Sequence, residues 1–300
     1  MLVVFGDSHT IALREGFQRL RGIAQLRPAS MLKRAVATWE PAARIVERHP
    51  KAIAAAESIV RRARSLRPAP TPTPKDLARE FDIRVGQIDH GYTFHRPFFR
   101  VDAKGLHFTR PAAANFFRKL VAPSPAHIER RDARRFVICS GFYPSSALLS
   151  KFWQSHSTAH NTEGRHYLSR GAYHALVRDY TAPLLRFLVT LQDLQVDVSV
   201  VASPPMSPNG LLSWKTASFG IEEVNTVHDE FRNAFAAELG RRGIPYTLPP
   251  PEVYGADGLL RQELASTRKV NDYHANAKYG EAMVAHLLED LAARGVFSTP

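Results

Sequence analysis

Five short apolar runs recur along the chain with helix-patterned segments between them, and this alternation constrains the fold more than any other feature. The runs lie in LVVFG (2–6), FDIRVGQI (81–88), RRFVICSG (134–141), VDVSVVASPP (196–205) and IPYTLPP (244–250). Near-continuous runs of four or five apolar residues suit strands covered on both faces. Between them, TIALREGFQRLRG places Ile11, Leu13, Phe17 and Leu20 at helical spacing, with Gly22 able to end the helix. Helices are also predicted in AAANFFRKLV, GAYHALVRDYTAPLLRFLVTLQDL, IEEVNTVHDEFRNAFAAELGRRG and AKYGEAMVAHLLEDLAARG, and Pro183 is expected to kink or split the second of these. The aromatic stretch YTFHRPFFRVDAKGLHFTR, with its Asp-Ala-Lys-Gly turn, reads as a hairpin or ordered loop. Strands alternating with helices specify a parallel sheet with helices on both faces, and such sheets bind ligands beyond the carboxyl ends of their strands.

One stretch departs from the alternation. Residues 22–77 are rich in Ala and Arg and end in the proline-rich RPAPTPTPKD, which reads as a mostly helical insertion closed by an extended linker. Between Arg14 and Arg67 there are 13 Lys/Arg against 4 Asp/Glu, so much of the formal +12 charge of the 300-residue chain sits there. That basic 14–67 segment fits an anionic partner or, more plainly, a solvated helical face. No run is long and apolar enough to span a bilayer, and the start lacks a secretory leader pattern, so a cytoplasmic protein of one domain over 1–300 is expected. The single cysteine, Cys139, precludes a disulfide framework or a multi-cysteine zinc site and lies in an apolar run that favours burial. No dinucleotide fingerprint, phosphate-binding loop or zinc-protease helix motif is present, and no cofactor or metal is expected. His90, His95 and His107 cluster in sequence without a recognised ligand spacing.

The end of the first run reads GDSHT. Ser8 there combines the carboxyl end of a strand with the amino end of a helix, where free amides and the helix dipole favour negative charge. Asp7 or Ser8 could equally cap the helix. NDYHANAKYG, just before the final helix, supplies Asp272 and His274 in a loop that returns to the same edge of a parallel sheet. Serine needs an imidazole in hydrogen-bond reach, itself oriented by a carboxylate, and the chain offers all three.

VVFGDSHT and NDYHAN resemble the first and last blocks of the SGNH hydrolases, also called the GDSL esterase/lipase superfamily. The resemblance implies a three-layer αβα sandwich with a flavodoxin-like five-stranded parallel sheet, extending over almost the whole chain outside the insertion. It implies a serine esterase with Ser8 as nucleophile and His274 as base. Ser8 would also donate to the oxyanion through its amide, aided by a glycine after the second strand, for which Gly86 is preferred over Gly91. The third-strand block supplies Gly141, but Tyr143 stands where the family has asparagine. Likewise Asn271 occupies the family's usual aspartate position, so either Asp272 serves from two residues before His274 or the base is weakened. Asp7, His9 and Asn271 are candidates for substrate contact. DYHANAKYG resembles the version found in bacterial surface-polysaccharide proteins, which implies hydrolysis or transfer of a small acyl group, such as the O-acetyl of a sugar or polysaccharide precursor. The rival reading is a non-catalytic glycan-binding protein in which Tyr143 and Asn271 mark lost chemistry.

Overall fold

The computed structural model describes residues 1–22, 72–143, 152–159, 163–210, 221–269 and 272–297. Strand β1 (Leu2–Gly6) is buried at every position, as its unbroken apolar run requires. It pairs in parallel with β2 (Ile83–Gln87) on one side and β5 (Arg135–Cys139) on the other. β6 (Val198–Val201) and β7 (Tyr246–Thr247) continue beyond β5, also in parallel, giving the order β2-β1-β5-β6-β7. Counting only strands of this sheet, the order is 2-1-3-4-5, the flavodoxin-like arrangement, in which the chain reverses direction of winding between β1 and β5. The five expected strands are therefore the five that form the sheet.

Alternate residues of β1 serve different cores, as the two-residue period of a strand demands. Val3 and Phe5 enter an aromatic core with α3 (Pro111–Val121), α4 (Arg170–Asp193) and α5 (Ile221–Arg241). Leu2 and Val4 enter an aliphatic core with α1 (Thr10–Leu20), α2 (Pro74–Glu80) and α6 (Ala277–Ala293). The result is three layers, helix, sheet and helix.

The two layers are closed differently. α1 and α6 meet at Gly16 and Gly280 so tightly that a β-carbon on Gly280 would lie 1.7 Å from the Ala12 carbonyl oxygen, and one on Gly16 would lie 1.9 Å from the Gly280 carbonyl carbon. Only a residue without a side chain fits at either place. In the aromatic layer, Phe5 contacts Phe108, Phe117, Phe136 and Phe187 edge-on or tilted. The hairpin β3 (Phe99–Asp102) and β4 (Gly105–Phe108) forms where the Asp-Ala-Lys-Gly turn predicts it, and Phe94, Phe98 and Phe108 are buried in this core.

Two expectations meet the structure unevenly. α4 runs without a break across Pro183, so the proline does not split it; deep burial of Leu184, Leu185, Phe187 and Leu188 anchors the turn that lacks a proline N–H. Residues 23–71 of the expected insertion, and with them nearly all of the basic 14–67 segment, lie outside the described residues; α2 occupies the end of the 22–77 span and is held by a capping box between Thr73 and Asp76.

Candidate active site at the sheet edge

Ser8 follows β1 by two residues, at the edge where the β1/β5 reversal opens a crevice. Its side chain does not cap α1: the N-cap position is His9, with no side-chain cap bond. Ser8 Oγ instead lies 2.9 Å from His274 Nε2, across 266 residues of sequence. His274 Nδ1 is 2.7 Å from Asp272 Oδ1, which also accepts the His274 amide at 3.1 Å. Asp272 Oδ2 accepts the Ser266 hydroxyl at 2.6 Å. Burial works against ionising Asp272, but the bonds from Ser266 and from the His274 ring and amide prevail and hold its carboxyl below the ordinary range. The serine, imidazole and carboxylate thus form one continuous hydrogen-bonded chain. Of the two residues that could orient His274, the structure joins Asp272 to it; Asn271 lies outside the described residues.

The loop that carries His274 is pinned from both ends. Ala265 and Ala275 form an antiparallel bridge, the Ser266 amide donates to the His274 carbonyl, and the Asn276 amide donates to the Leu264 carbonyl. The Asn276 side chain caps α6 by accepting the Lys278 and Tyr279 amides, while its Nδ2 donates to the Glu263 and Ala265 carbonyls. Because α6 is locked against α1 at Gly16 and Gly280, the start of α6 and the start of α1 are fixed relative to one another, and with them His274 and Ser8.

Asp7 is buried beneath this pair. It accepts the His9 amide at 2.9 Å and the Ser140 hydroxyl at 3.2 Å, and burial outweighs both bonds, pushing its carboxyl up from 3.8 to about 6. It braces the turn after β1 and does not line the cleft. His9 is also buried, tilted against Tyr143 with ring centres 4.5 Å apart and against His274 at 5.2 Å. Burial first, then the neighbouring His274 and His228, lowers its basicity well below that of a free imidazole.

The expected oxyanion donors are less well gathered than the triad. The Ser8 amide, at the head of α1, has no acceptor among the described residues. Gly86 is inside β2, paired with Phe5, and an added β-carbon there would face Leu120 of α3 and not the cleft. Gly91 is nearer the end of β1, since its β-carbon position lies 3.9 Å from Asp7 Oδ2. Neither glycine lines the cleft. Gly141 adopts φ +92° and turns towards Leu184 and Phe235 of the aromatic core. Tyr143 is buried with its hydroxyl directed to Met206 Sδ at 3.4 Å, and burial pushes its ionisation far up. Neither Gly141 nor Tyr143 lines the cleft.

The cleft itself encloses about 340 Å³. Ser8 and His274 sit on it with Gln87 at the end of β2, His90 from the loop that follows, and Arg268 and Lys269 from the loop before α6. Ser266, Ser140 and Arg268 had no sequence signal, because their partners are set by loop geometry, and Lys269 had none because its place on the cleft is set by the same loop. The three clustered histidines separate in space: His90 reaches the cleft, His95 stacks on Tyr180, and His107 pairs with Asp102. Among the described residues no three potential ligands are grouped to hold a metal, and no helix is long and apolar enough to cross a membrane.

Fold and site together define a three-layer α/β protein with a serine–histidine–aspartate chain at the switch point of a 2-1-3-4-5 parallel sheet. No family model matches the chain, and comparison with curated proteins finds no match. Among solved structures it is similar to a proposed acylhydrolase from Bacteroides fragilis NCTC 9343, at 11% identity over 98% of this chain and 86% of that one, with a TM-score of 0.39. A GDSL-like lipase from Bacteroides thetaiotaomicron VPI-5482 is similar to the same degree, with 11% identity, 98% and 88% coverage and a TM-score of 0.39.

Proposed function

We propose that this chain is a serine ester hydrolase of SGNH type that acts on a small acyl ester. The observation that carries it is the Ser8–His274–Asp272 chain, with contacts of 2.9 and 2.7 Å formed between residues 266 positions apart and mounted at the ligand edge of the sheet. Ser8 Oγ attacks the acyl carbonyl while His274 Nε2 takes its proton. Asp272 keeps the ring oriented through Nδ1 and stabilises the imidazolium that forms. The Ser8 amide at the head of α1 faces the developing oxyanion with the favourable end of the helix dipole. His274 then returns the proton to the departing alcohol, and water repeats the cycle on the acyl-enzyme. A cleft of about 340 Å³ that carries His90, Arg268 and Lys269 beside its apolar lining supports a short acyl group on a polar alcohol, such as the O-acetyl of a sugar.

A second reading is favoured by Tyr143, whose hydroxyl is turned to Met206 where the resemblance calls for an oxyanion donor: a binding protein that retains the triad without turnover. One experiment separates the two. The protein is incubated with a fluorophosphonate probe and with an activated acetyl ester, alongside Ser8→Ala. Covalent labelling and hydrolysis that both vanish in the variant support the esterase; equal behaviour of the two proteins removes Ser8 as nucleophile, and labelling without hydrolysis selects the binding protein.

A further inference from the structure

We infer that the cleft selects an ester carrying a fixed negative charge, a carboxylate near the scissile bond, and that Lys269 is the residue that recognises it; this rests on Ser8 being the nucleophile. The charges that line the cleft are Arg268, Lys269 and Asp272, with the polar rings of His90 and His274 among them. Asp272 is committed: its two oxygens accept from His274 and Ser266. Arg268 is committed as well, since its Nη2 reaches both oxygens of Glu15 at 2.6 and 2.7 Å. Lys269 is exposed and makes no ion pair or hydrogen bond among the described residues. The formal charges of Arg268, Lys269, Glu15 and Asp272 cancel, but Asp272 is buried while Lys269 is exposed, so the charge presented to solvent at the mouth is positive, and it is carried on the same loop as His274.

An exposed ammonium is strongly hydrated, so it contributes through partly screened attraction rather than through a buried ion pair. Steering of this kind raises the association rate of an oppositely charged ligand and fades with ionic strength. Glu15, beside the rim, is paired with Arg268 and does not oppose it, and the cleft's own acid, Asp272, is buried behind His274.

The test uses two fluorophosphonates matched in size, one neutral and one ending in a carboxylate, and reads the second-order rate of labelling at Ser8 in the full chain. The carboxylate probe is expected to react about fivefold faster at low salt, with the advantage largely lost in 0.5 M sodium chloride. In Lys269→Ala the ratio of the two rates should fall to about one, and in Lys269→Glu it should invert. Equal rates for both probes in the parent protein, or a ratio that survives Lys269→Glu, overturn the charge preference and leave the esterase assignment standing. Absence of any Ser8-dependent labelling overturns both together. Because Lys269 is exposed and unpaired, both substitutions are compatible with the fold.

Discussion

The two faces of the sheet solve different problems. On one face, Phe5, Phe98, Phe108, Phe117 and Phe187 fill space with large rings that touch at 4.9 to 6.4 Å. On the other, α1 and α6 have nothing between them at Gly16 and Gly280. Ring packing gains burial and tolerates small adjustments of each neighbour. Backbone on backbone leaves no such latitude, and the helices so joined are those whose amino ends hold Ser8 and His274. Bulk fills the layer away from the proposed site, and closeness fixes position in the layer that carries it.

The sharpest way to break this contrast is within the site-bearing layer. Asp272→Asn should leave the fold intact and reduce turnover of an activated ester by about ten-thousand-fold, because the imidazole loses both its tautomer preference and its countercharge; steady-state kinetics beside a urea melt would show it. Phe187→Ala belongs to the other layer. It should cost about 3–5 kcal/mol in a denaturation curve while Ser8 labelling at native conditions stays within a few fold. A large loss of labelling in the folded Phe187 variant would mean that the aromatic layer also positions the site.

Asp7, at the strand end between the layers, predicts a pH effect. Its folded-state carboxyl is raised by burial from 3.8 to about 6, so across that window the folded chain binds the proton more tightly than the unfolded chain. Its contribution to stability therefore falls as pH rises from about 4 to 6 and stays low above it, by an amount on the order of 3 kcal/mol. Asp7→Asn should flatten that part of the stability–pH profile, measured by urea midpoints at pH 4 and pH 7. Gly280→Ala should destabilise by about 3 kcal/mol or more, the upper end of overpacking costs, because its β-carbon would lie 1.7 Å from the Ala12 carbonyl oxygen and backbone has to move to admit it. Its diagnostic effect is on rate: moving α6 off α1 should slow labelling of Ser8 by about a hundredfold. A Gly280 variant that labels at the parental rate would show that the glycine contact is packing alone.

Much of this was legible in the chain. The apolar runs at 2–6 and 134–141 form strands because a residue flanked by two covered faces must be apolar at every position, and no other period fits. Ser8 and His274 were legible as a pair because strand ends and returning loops share one edge in such a sheet. The choice of Asp272 to orient His274 was left open by the sequence, since it depends on a loop held by Ser266 and the Ala265–Ala275 bridge. Gly86 was expected just past the second strand; the strand continues through Gln87, so Gly86 lies inside it with its free side towards Leu120. Gly16 and Gly280 looked like ordinary helix residues, because a contact between two helices has no local pattern.

By itself the sequence determined the layers, the strands and which residue types stand at the strand ends, because periodicity and residue type are properties of neighbours in the chain. Only the tertiary structure decided that Ser8 faces His274 and does not cap its own helix, that Tyr143 points to a methionine sulfur, and that Lys269 stands exposed on the cleft. Those are distances and directions between residues far apart along the chain, and they exist only once two helices have closed on a pair of glycines.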